Sequence, residues 1–382
     1  MSRRQPTAAG LLPDCGGAIQ EIAVALPPGC FGRDAAPKNL LAALGHFLRS
    51  LPASVAIQAL VDPRTHADAG RWLDGLGLAG EGRAVAAALP ENGEAESSAW
   101  IQDGVLVVAG TESGSTFVRS QDGAGPDYAS ILSAASGATA EVGAFALAGS
   151  NLLVGPDFKL VGQDSIDQTQ ALIEREGAGD TAFKRLARLD ERQLYVVGYG
   201  YGETRPAPPP GSVGHGYRLQ QFGGAIDRFI SLTGLQTVDG RPKIVVADAK
   251  LAGNGRAADF QPIPAALDAT AKRLALLGFE VFRNAVPFVP GARQAGLGPR
   301  LYNNVIVENE LRPGRQGPLV WLPQFGDKEP WLAPFDSYNS GLWRGLGFEP
   351  VAVQGWARFS MQGAVRSASK VLRRNPGFRF AF

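Results

Sequence analysis

The sequence has few of the side chains that carry metal, disulfide or acid–base chemistry. It contains two cysteines and three histidines in 382 residues. Cys15 and Cys30 do not form a CxxC pair and have no nearby histidine, which argues against a zinc site and indicates free thiols. An imidazole base would have to come from His46, His66 or His215. His46 falls in an amphipathic helical pattern and His66 in a turn-rich stretch, so both are expected to be structural or solvated rather than catalytic.

An excess of charge of either sign is also lacking. Lys and Arg together number 37 and Asp and Glu 36, which gives a formal net charge of +1. The interspersed charges provide no electrostatic footprint for nucleic acid or an anionic membrane, so we expect neither partner. Residues 130–155 are apolar but rich in Ala, Ser and Gly, and they carry Glu141, unlike a membrane span. The start of the chain has no apolar run of signal-peptide length, which favours a cytoplasmic location.

Glycine and proline, in contrast, are abundant. The 49 glycines and 27 prolines imply many short connections, which suit a multi-strand α/β protein better than a helical bundle. A hydrophobic content of 45% is enough for a substantial core. Prolines concentrate in the segment 203–214, which we predict to be a stiff surface loop.

A pattern of strand, strand, amphipathic helix and strand repeats along the chain. One copy has a predicted helix at 264–277 and another has one near 335–345. The tetrapeptide Leu-Gly-Phe-Glu occurs at the helix end of both copies, at 277–280 and 346–349. Weaker copies lie at 20–60, 70–145 and 151–200. A unit of this size cannot bury its apolar face alone, so the repeats predict a closed, propeller-like α/β ring in a single domain over residues 1–382.

Four segments carry a resemblance to a known family. They are Trp100–Asp103 (WIQD), Ser150–Pro156 (SNLLVGP), Ala225–Ser231 (AIDRFIS) and Gly363–Pro376 (GAVRSASKVLRRNP). In this order they resemble the active-site segments of protein-arginine deiminases, over roughly residues 97–382. These deiminases belong to the pentein superfamily of guanidine-modifying proteins. The resemblance implies the pentein fold, a five-fold α/β propeller of ββαβ units.

The resemblance also implies a site for a guanidinium group. Deimination needs a nucleophile, carboxylates that hold the planar cation, and an acid–base group for the departing ammonia. Asp103 and Asp227 match the two substrate-binding aspartates of the family. Ser367 stands where the family has its nucleophilic cysteine, and Ala225 where it has the catalytic histidine. The binding groups are thus kept, while the groups that make and break bonds are replaced.

The roles of other family residues are less easily assigned to positions in this sequence. Trp100 and Arg366 match positions next to the substrate, where Arg366 could hold a substrate carboxylate. A substitute base could come from His215, ten residues before Ala225. The family's calcium positions correspond to 104–106 (Gly-Val-Leu) and Leu153, which offer no side-chain ligand for a hard cation. We therefore expect no metal and no cofactor.

The sequence leaves three hypotheses about function. The first is a protein without catalysis that binds arginine, another guanidino metabolite or an arginine side chain, as a sensor, a homo-oligomer or a subunit beside an active homologue. The second is an active hydrolase, converting arginine to citrulline and ammonia with a rearranged set that includes His215 or Ser367. The third is an engineered inactive variant. Loss of one member of a nucleophile and base pair lowers turnover by about 10⁴ to 10⁶, which favours the first.

Overall fold

A computed structural model describes residues 10–32, 35–78, 82–88, 99–110, 114–121, 126–198, 225–253, 260, 262–290, 297–359 and 362–375. The predicted loop at 203–214 and His215 lie outside these residues. The helices are α1 (Ala35–Ser50), α2 (His66–Gly75), α3 (Ile101–Gly104), α4 (Tyr128–Ser136), α5 (Gln163–Glu176), α6 (Ala182–Ala187), α7 (Pro262–Leu276) and α8 (Ala333–Gly345).

The strands of the described residues are short and follow one another around the molecule. They are β1 (Gly10–Leu11), β2 (Ile19–Leu26), β3 (Ala56–Val61), β4 (Ala84–Ala88), β5 (Leu106–Ala109), β6 (Ser115–Ser120), β7 (Thr139–Gly143), β8 (Leu152–Val154), β9 (Phe158–Gly162), β10 (Gln193–Val197), β11 (Ile230–Gln236), β12 (Pro242–Leu251), β13 (Glu280–Pro290), β14 (Leu297–Pro299), β15 (Ile306–Val307), β16 (Leu319–Pro323), β17 (Glu349–Val353) and β18 (Ser369–Arg374).

These strands form five small sheets that share one connectivity. Their orders are β18-β2-β3-β4, β1-β5-β6-β7, β10-β9-β8, β11-β12-β13-β14 and β15-β16-β17. In each sheet two strands pair antiparallel, and a helix then leads to a third strand parallel to the second. Strands β11, β12 and β13 with helix α7 are one example, and β15, β16 and β17 with α8 are another. The predicted ring of ββαβ units is confirmed.

The repeated Leu-Gly-Phe-Glu is the helix-to-strand connection of two units. Gly278 and Gly347 have φ values of +92° and +90°, a left-handed conformation that favours glycine after a helix. The next amide N–H then turns back to the helix: that of Phe279 donates to the Leu274 carbonyl at 3.1 Å, and that of Phe348 to the Trp343 carbonyl at 3.0 Å. Both predicted helices are confirmed, each beginning two residues earlier than expected.

The first unit is completed by a strand from the other end of the chain. Strand β18 pairs antiparallel with β2, where Lys370 lies opposite Ala23. Strand β2 is mostly buried, and its Ile19, Ile22, Val24 and Leu26 belong to the same hydrophobic core as side chains of β12 and β16. Among the residues described, no helix is long and apolar enough to cross a bilayer.

Candidate functional site

The site is assembled from five equivalent places in the fold. In each unit it uses the connection that immediately precedes the first antiparallel strand: helix α3, the 3-10 turns Gly149–Asn151 and Ile226–Arg228, and the segments before β15 and β18. Neighbouring connections bond to one another around the centre. The Gln102 amide donates to the Ser367 carbonyl at 3.2 Å, and the Ser150 amide donates to Asp103 Oδ1 at 3.0 Å. Arg366 also donates to Asp227 at 2.7 Å, so all four segments chosen from sequence converge directly.

Asn304 is the centre of this arrangement. Its Oδ1 accepts hydrogen bonds from the backbone amides of Ala364 at 3.1 Å and Ser367 at 3.0 Å. Because both partners are N–H donors, the orientation of the side-chain amide is determined. Its Nδ2 therefore donates, to Asp227 Oδ2 at 2.9 Å and to Ser367 Oγ at 2.9 Å. Asn304 fixes the relative position of two residues that the sequence analysis had placed in one site.

Ser367 and Ala225 are both buried. The Ser367 hydroxyl accepts a hydrogen bond from Asn304, and no acceptor for its own proton lies among the described residues. Ala225 has an extended backbone and begins the turn that carries Asp227. Its methyl group cannot remove a proton. Ser367 is held in position by Asn304.

Asp227 is fully buried, and only one of its two carboxylate oxygens accepts hydrogen bonds from the described residues. Its Oδ2 accepts from Asn304 and from Arg366 Nη1, the latter at 2.7 Å. Its Oδ1 is inaccessible to solvent and has no hydrogen-bond partner in the described part of the chain. Burial raises the pKa of Asp227 to about 6, against the lowering effect of Arg366, and the nearby charge of Asp103 raises this pKa further.

The guanidinium of Arg366 is hydrogen-bonded to other residues of the protein. Besides Asp227, its guanidinium donates twice to Asp14 Oδ1, at 2.8 and 3.2 Å, and to the backbone carbonyls of Leu152 at 2.9 Å and Gly149 at 3.4 Å. This arrangement argues against the expected contact of Arg366 with a substrate carboxylate, because all three guanidinium nitrogens already donate to the protein. Arg366 instead ties Asp227 to the beginning of the chain.

Asp103 and Trp100 form the more open part of the site. Asp103 is exposed, and only its Oδ1 takes part in a hydrogen bond among the described residues. Trp100 is half-buried and lies against Gly363, where an added Cβ would come within 2.7 Å of the indole ring. Asp227 and Asp103 thus each keep one carboxylate oxygen without a hydrogen-bond donor among the described residues.

The two described histidines lie elsewhere. His46 is in α1, and His66 is exposed at the start of α2, where its ring contacts the Ala86 carbonyl at 3.3 Å. Within the described ranges no group of three or more His, Cys, Asp or Glu side chains is placed to hold a metal ion.

Sequence reasoning missed two residues of the site, Asn304 and Asp14. Asn304 occupies the fifth of the equivalent connections, so alignment of the repeats with one another would have indicated it. Asp14 precedes β2 and reaches the centre only through the folded ring, where its Oδ2 accepts from the Val154 amide at 2.7 Å. Its local sequence gives no sign of this role.

Comparison with known proteins finds similarity at the level of structure. No protein-family model and no curated protein sequence matches the chain. The agmatine deiminase of C. jejuni superposes with a TM-score of 0.61 at 11% identity, over 95% of this chain and 96% of that one. The agmatine deiminase of Enterococcus faecalis gives 0.62 at 12% identity, over 96% of both chains. The chain has the pentein fold.

The same pentein fold is found in a cysteine-to-serine variant of the C. jejuni agmatine deiminase, which was solved with substrate bound. Its TM-score is 0.61 at 12% identity, over 96% of this chain and 97% of that one. At these identities the likeness concerns the fold, and the site has to be argued from the residues of this chain.

Proposed function

We propose that this pentein-fold protein binds a guanidino compound between Asp103 and Asp227 and does not hydrolyse it. The observation that carries the proposal is the hydrogen bond from Asn304 Nδ2 to Ser367 Oγ. A serine becomes a nucleophile when a neighbouring base accepts its proton. Here the neighbour is a donor, because two backbone amides already bind Asn304 Oδ1. Ser367 therefore keeps its proton.

The binding half of the proposal is supported by the two carboxylates. A guanidinium ion is planar and presents several N–H donors, which suit carboxylate oxygens held in fixed positions. Asp227 Oδ1 is buried and has no donor within the described ranges, and such a group is costly to leave unpaired. An incoming guanidinium would supply the missing hydrogen bond. The substrate-bound serine variant of the C. jejuni agmatine deiminase is a precedent for binding by a pentein-fold protein in which a cysteine is changed to serine.

A role follows from binding without turnover. The protein would report the level of a guanidino metabolite or of an exposed arginine side chain, alone, as a homo-oligomer or beside an active homologue. The active alternative requires a base that approaches Ser367 or a different nucleophile, with His215 as the candidate from sequence.

Calorimetric titration with agmatine, arginine and a blocked arginine peptide tests this proposal. We expect saturable binding of at least one compound and no release of ammonia from any of them. Replacing Asp103 by asparagine should weaken binding by about 10-fold or more, because it removes a charge-assisted hydrogen bond. Asp103 is preferred to Asp227 for this test because it is exposed and does not hold Arg366.

Asp74→Asn is the matched control, since Asp74 is an exposed carboxylate on α2, and its affinity should equal that of the wild type. Sustained ammonia release by the unmodified protein would overturn the inactive half of the proposal. Absence of binding by all three compounds at millimolar concentration would overturn the other half.

The affinity should also depend on pH. The pKa of Asp227 is raised to about 6 by burial, so the carboxylate is ionised above that pH and neutral below it. A guanidinium binds the ionised form. We therefore expect affinity to be constant from pH 7 to 8 and to fall about 10-fold per pH unit below pH 6. Titrations at pH 5, 6, 7 and 8 measure this; equal affinity at pH 5 and 7 would show that Asp227 does not contact the ligand.

A further inference from the structure

Arg228 is a charged side chain beside the guanidino site that the proposed function does not use. It ends the 3-10 turn Ile226–Arg228 and so directly follows Asp227. Asp227 is fully buried, whereas Arg228 is half-buried. Burial raises the pKa of Asp227, and the charge of Arg228 is among those that oppose this effect, so its guanidinium lies within electrostatic range of that carboxylate. A ligand held by Asp227 would therefore lie in the field of Arg228.

The guanidinium of Arg228 has unused hydrogen-bond donors. Its Nη2 donates to the backbone carbonyl of Gln362 at 3.3 Å, and no other hydrogen bond or ion pair joins this guanidinium to the described residues. Its Nε and Nη1 are not enclosed by the described residues, so they can bind a group that arrives from solvent. In this respect Arg228 differs from Arg366, whose three guanidinium nitrogens all donate to the protein.

The contact with Gln362 places Arg228 at the outer end of the site. Gln362 is exposed, and the next residue, Gly363, is buried. A Cβ added at Gly363 would come within 2.5 Å of Ser367 Cβ and within 2.7 Å of the Trp100 ring. Gln362 therefore lies one residue further out than the place where Ser367 and Trp100 meet. From the inside to the outside of the site, the order is Ser367, Trp100 and Arg228.

An arginine molecule can bridge these positions. Its guanidinium and its carboxylate are separated by the length of one arginine side chain, and Arg228 can extend from its turn by the same length. With the guanidinium of the ligand between Asp227 and Asp103, its methylene groups would lie against Trp100 and its carboxylate would reach Arg228. The positive charge of Arg228 would also offset the repulsion of that carboxylate by the two aspartates.

We propose that Arg228 binds a carboxylate of the ligand, so that the site takes guanidino acids such as arginine in preference to guanidino amines such as agmatine. The inference rests on the proposed function, because it concerns the other end of the same ligand. It assigns to Arg228 the contact that the sequence had suggested for Arg366. Free arginine and a peptide that ends in arginine share the required chemistry, a guanidinium and a carboxylate one side chain apart.

Calorimetric titration of the wild type at pH 7.5 with arginine and with agmatine, which lacks only the carboxylate, tests this inference. The Kd for agmatine should be about 10-fold higher or more, the usual effect of a charge-assisted hydrogen bond. N-acetyl-glycyl-arginine is compared with its C-terminal amide in the same way. A preference for the carboxylate in either pair supports the inference and shows which source the site admits. Equal affinities within both pairs, or tighter binding of agmatine and the amide, would overturn it.

Arg228→Gln is the decisive variant. The ratio of the agmatine Kd to the arginine Kd should fall to near one, because glutamine keeps a polar side chain without the charge. Arg228→Lys keeps the charge and should retain part of the ratio. Arg71→Gln, at an arginine of α2 whose side chain is 71% exposed, should keep the ratio of the wild type. An unchanged ratio in Arg228→Gln would contradict the assignment.

These results are distinguishable from failure of the proposed function. Absence of binding by all four compounds would overturn the guanidino site itself, and this inference with it. Binding of arginine and agmatine with equal affinity, and of the peptide and its amide likewise, would overturn the role of Arg228 alone. Because the wild type provides these comparisons, the test does not depend on the folding of any variant.

Discussion

Replacement of Arg366 by alanine is expected to lower the free energy of unfolding by about 3–5 kcal/mol at pH 7.5, the usual cost of removing one partner of a buried ion pair. Stability is lost because Asp227 and Asp14 would remain in the fold without the guanidinium that binds them. Asp227 would lose a donor at 2.7 Å while remaining buried, and Asp14 would lose both of its guanidinium bonds. Urea unfolding followed by linear extrapolation measures the change.

The neighbouring strand provides a control for Arg366→Ala. Arg373 is on β18, and its side chain is 60% exposed. Its Nε lies 3.6 Å from Glu21 Oε2. Arg373→Ala removes the same side chain from a solvated ion pair and should cost less than about 1 kcal/mol.

The effect of Arg366→Ala should shrink when the pH is lowered below the pKa of Asp227, which is about 6 in the intact protein. Protonation removes the uncompensated negative charge that makes the variant unstable. If the loss at pH 5 were as large as at pH 7.5, packing of the arginine rather than its charge would be the cause. Methylguanidine at low millimolar concentration should restore part of the stability of the variant by entering the vacated site.

The double replacement Ala225→His and Ser367→Cys is expected to produce measurable deimination of agmatine or arginine, at least about 10⁴-fold above the background of the unmodified protein. The position of the new thiol is already fixed. Residue 367 has its amide bound to Asn304 at 3.0 Å and its carbonyl bound to Gln102 at 3.2 Å. The Asn304 side-chain amide would stabilise a thiolate at this position, and the histidine would supply the missing base.

Each single replacement should remain near background, because a nucleophile and its base act as a unit. Adding Asp103→Asn to the double variant should lower the activity again, which separates turnover in this site from contaminating hydrolysis. Ammonia and citrulline are measured together. A folded double variant that binds agmatine as the wild type does and releases no ammonia would mean that the chain has diverged in more than these two residues.

The repeats made much of the fold predictable, since strand and helix periodicity and the two Leu-Gly-Phe-Glu connections are local features of sequence. The segment that holds Asp227 was also chosen from sequence, because it resembles a segment of protein-arginine deiminases. The ion pair between Arg366 and Asp14 was not predictable from sequence. Asp14 lies 352 residues away along the chain and meets Arg366 only at the centre of the ring. Such contacts depend on the strand register in all five sheets. The residues next to Asp14 and Arg366 in sequence therefore do not indicate them.

The pairing of β18 with β2 has a consequence for when the protein becomes functional. Most of the ring can form as the chain is synthesised, because each unit is made of neighbouring residues. Arg366, Ser367 and Lys370, however, directly precede or belong to β18, the last described strand, and their partners belong to earlier units. The proposed guanidino site is therefore completed in the step that docks this strand. If it binds a guanidino compound, we expect no binding by a nascent chain, and ligand present at that moment should stabilise the docked state.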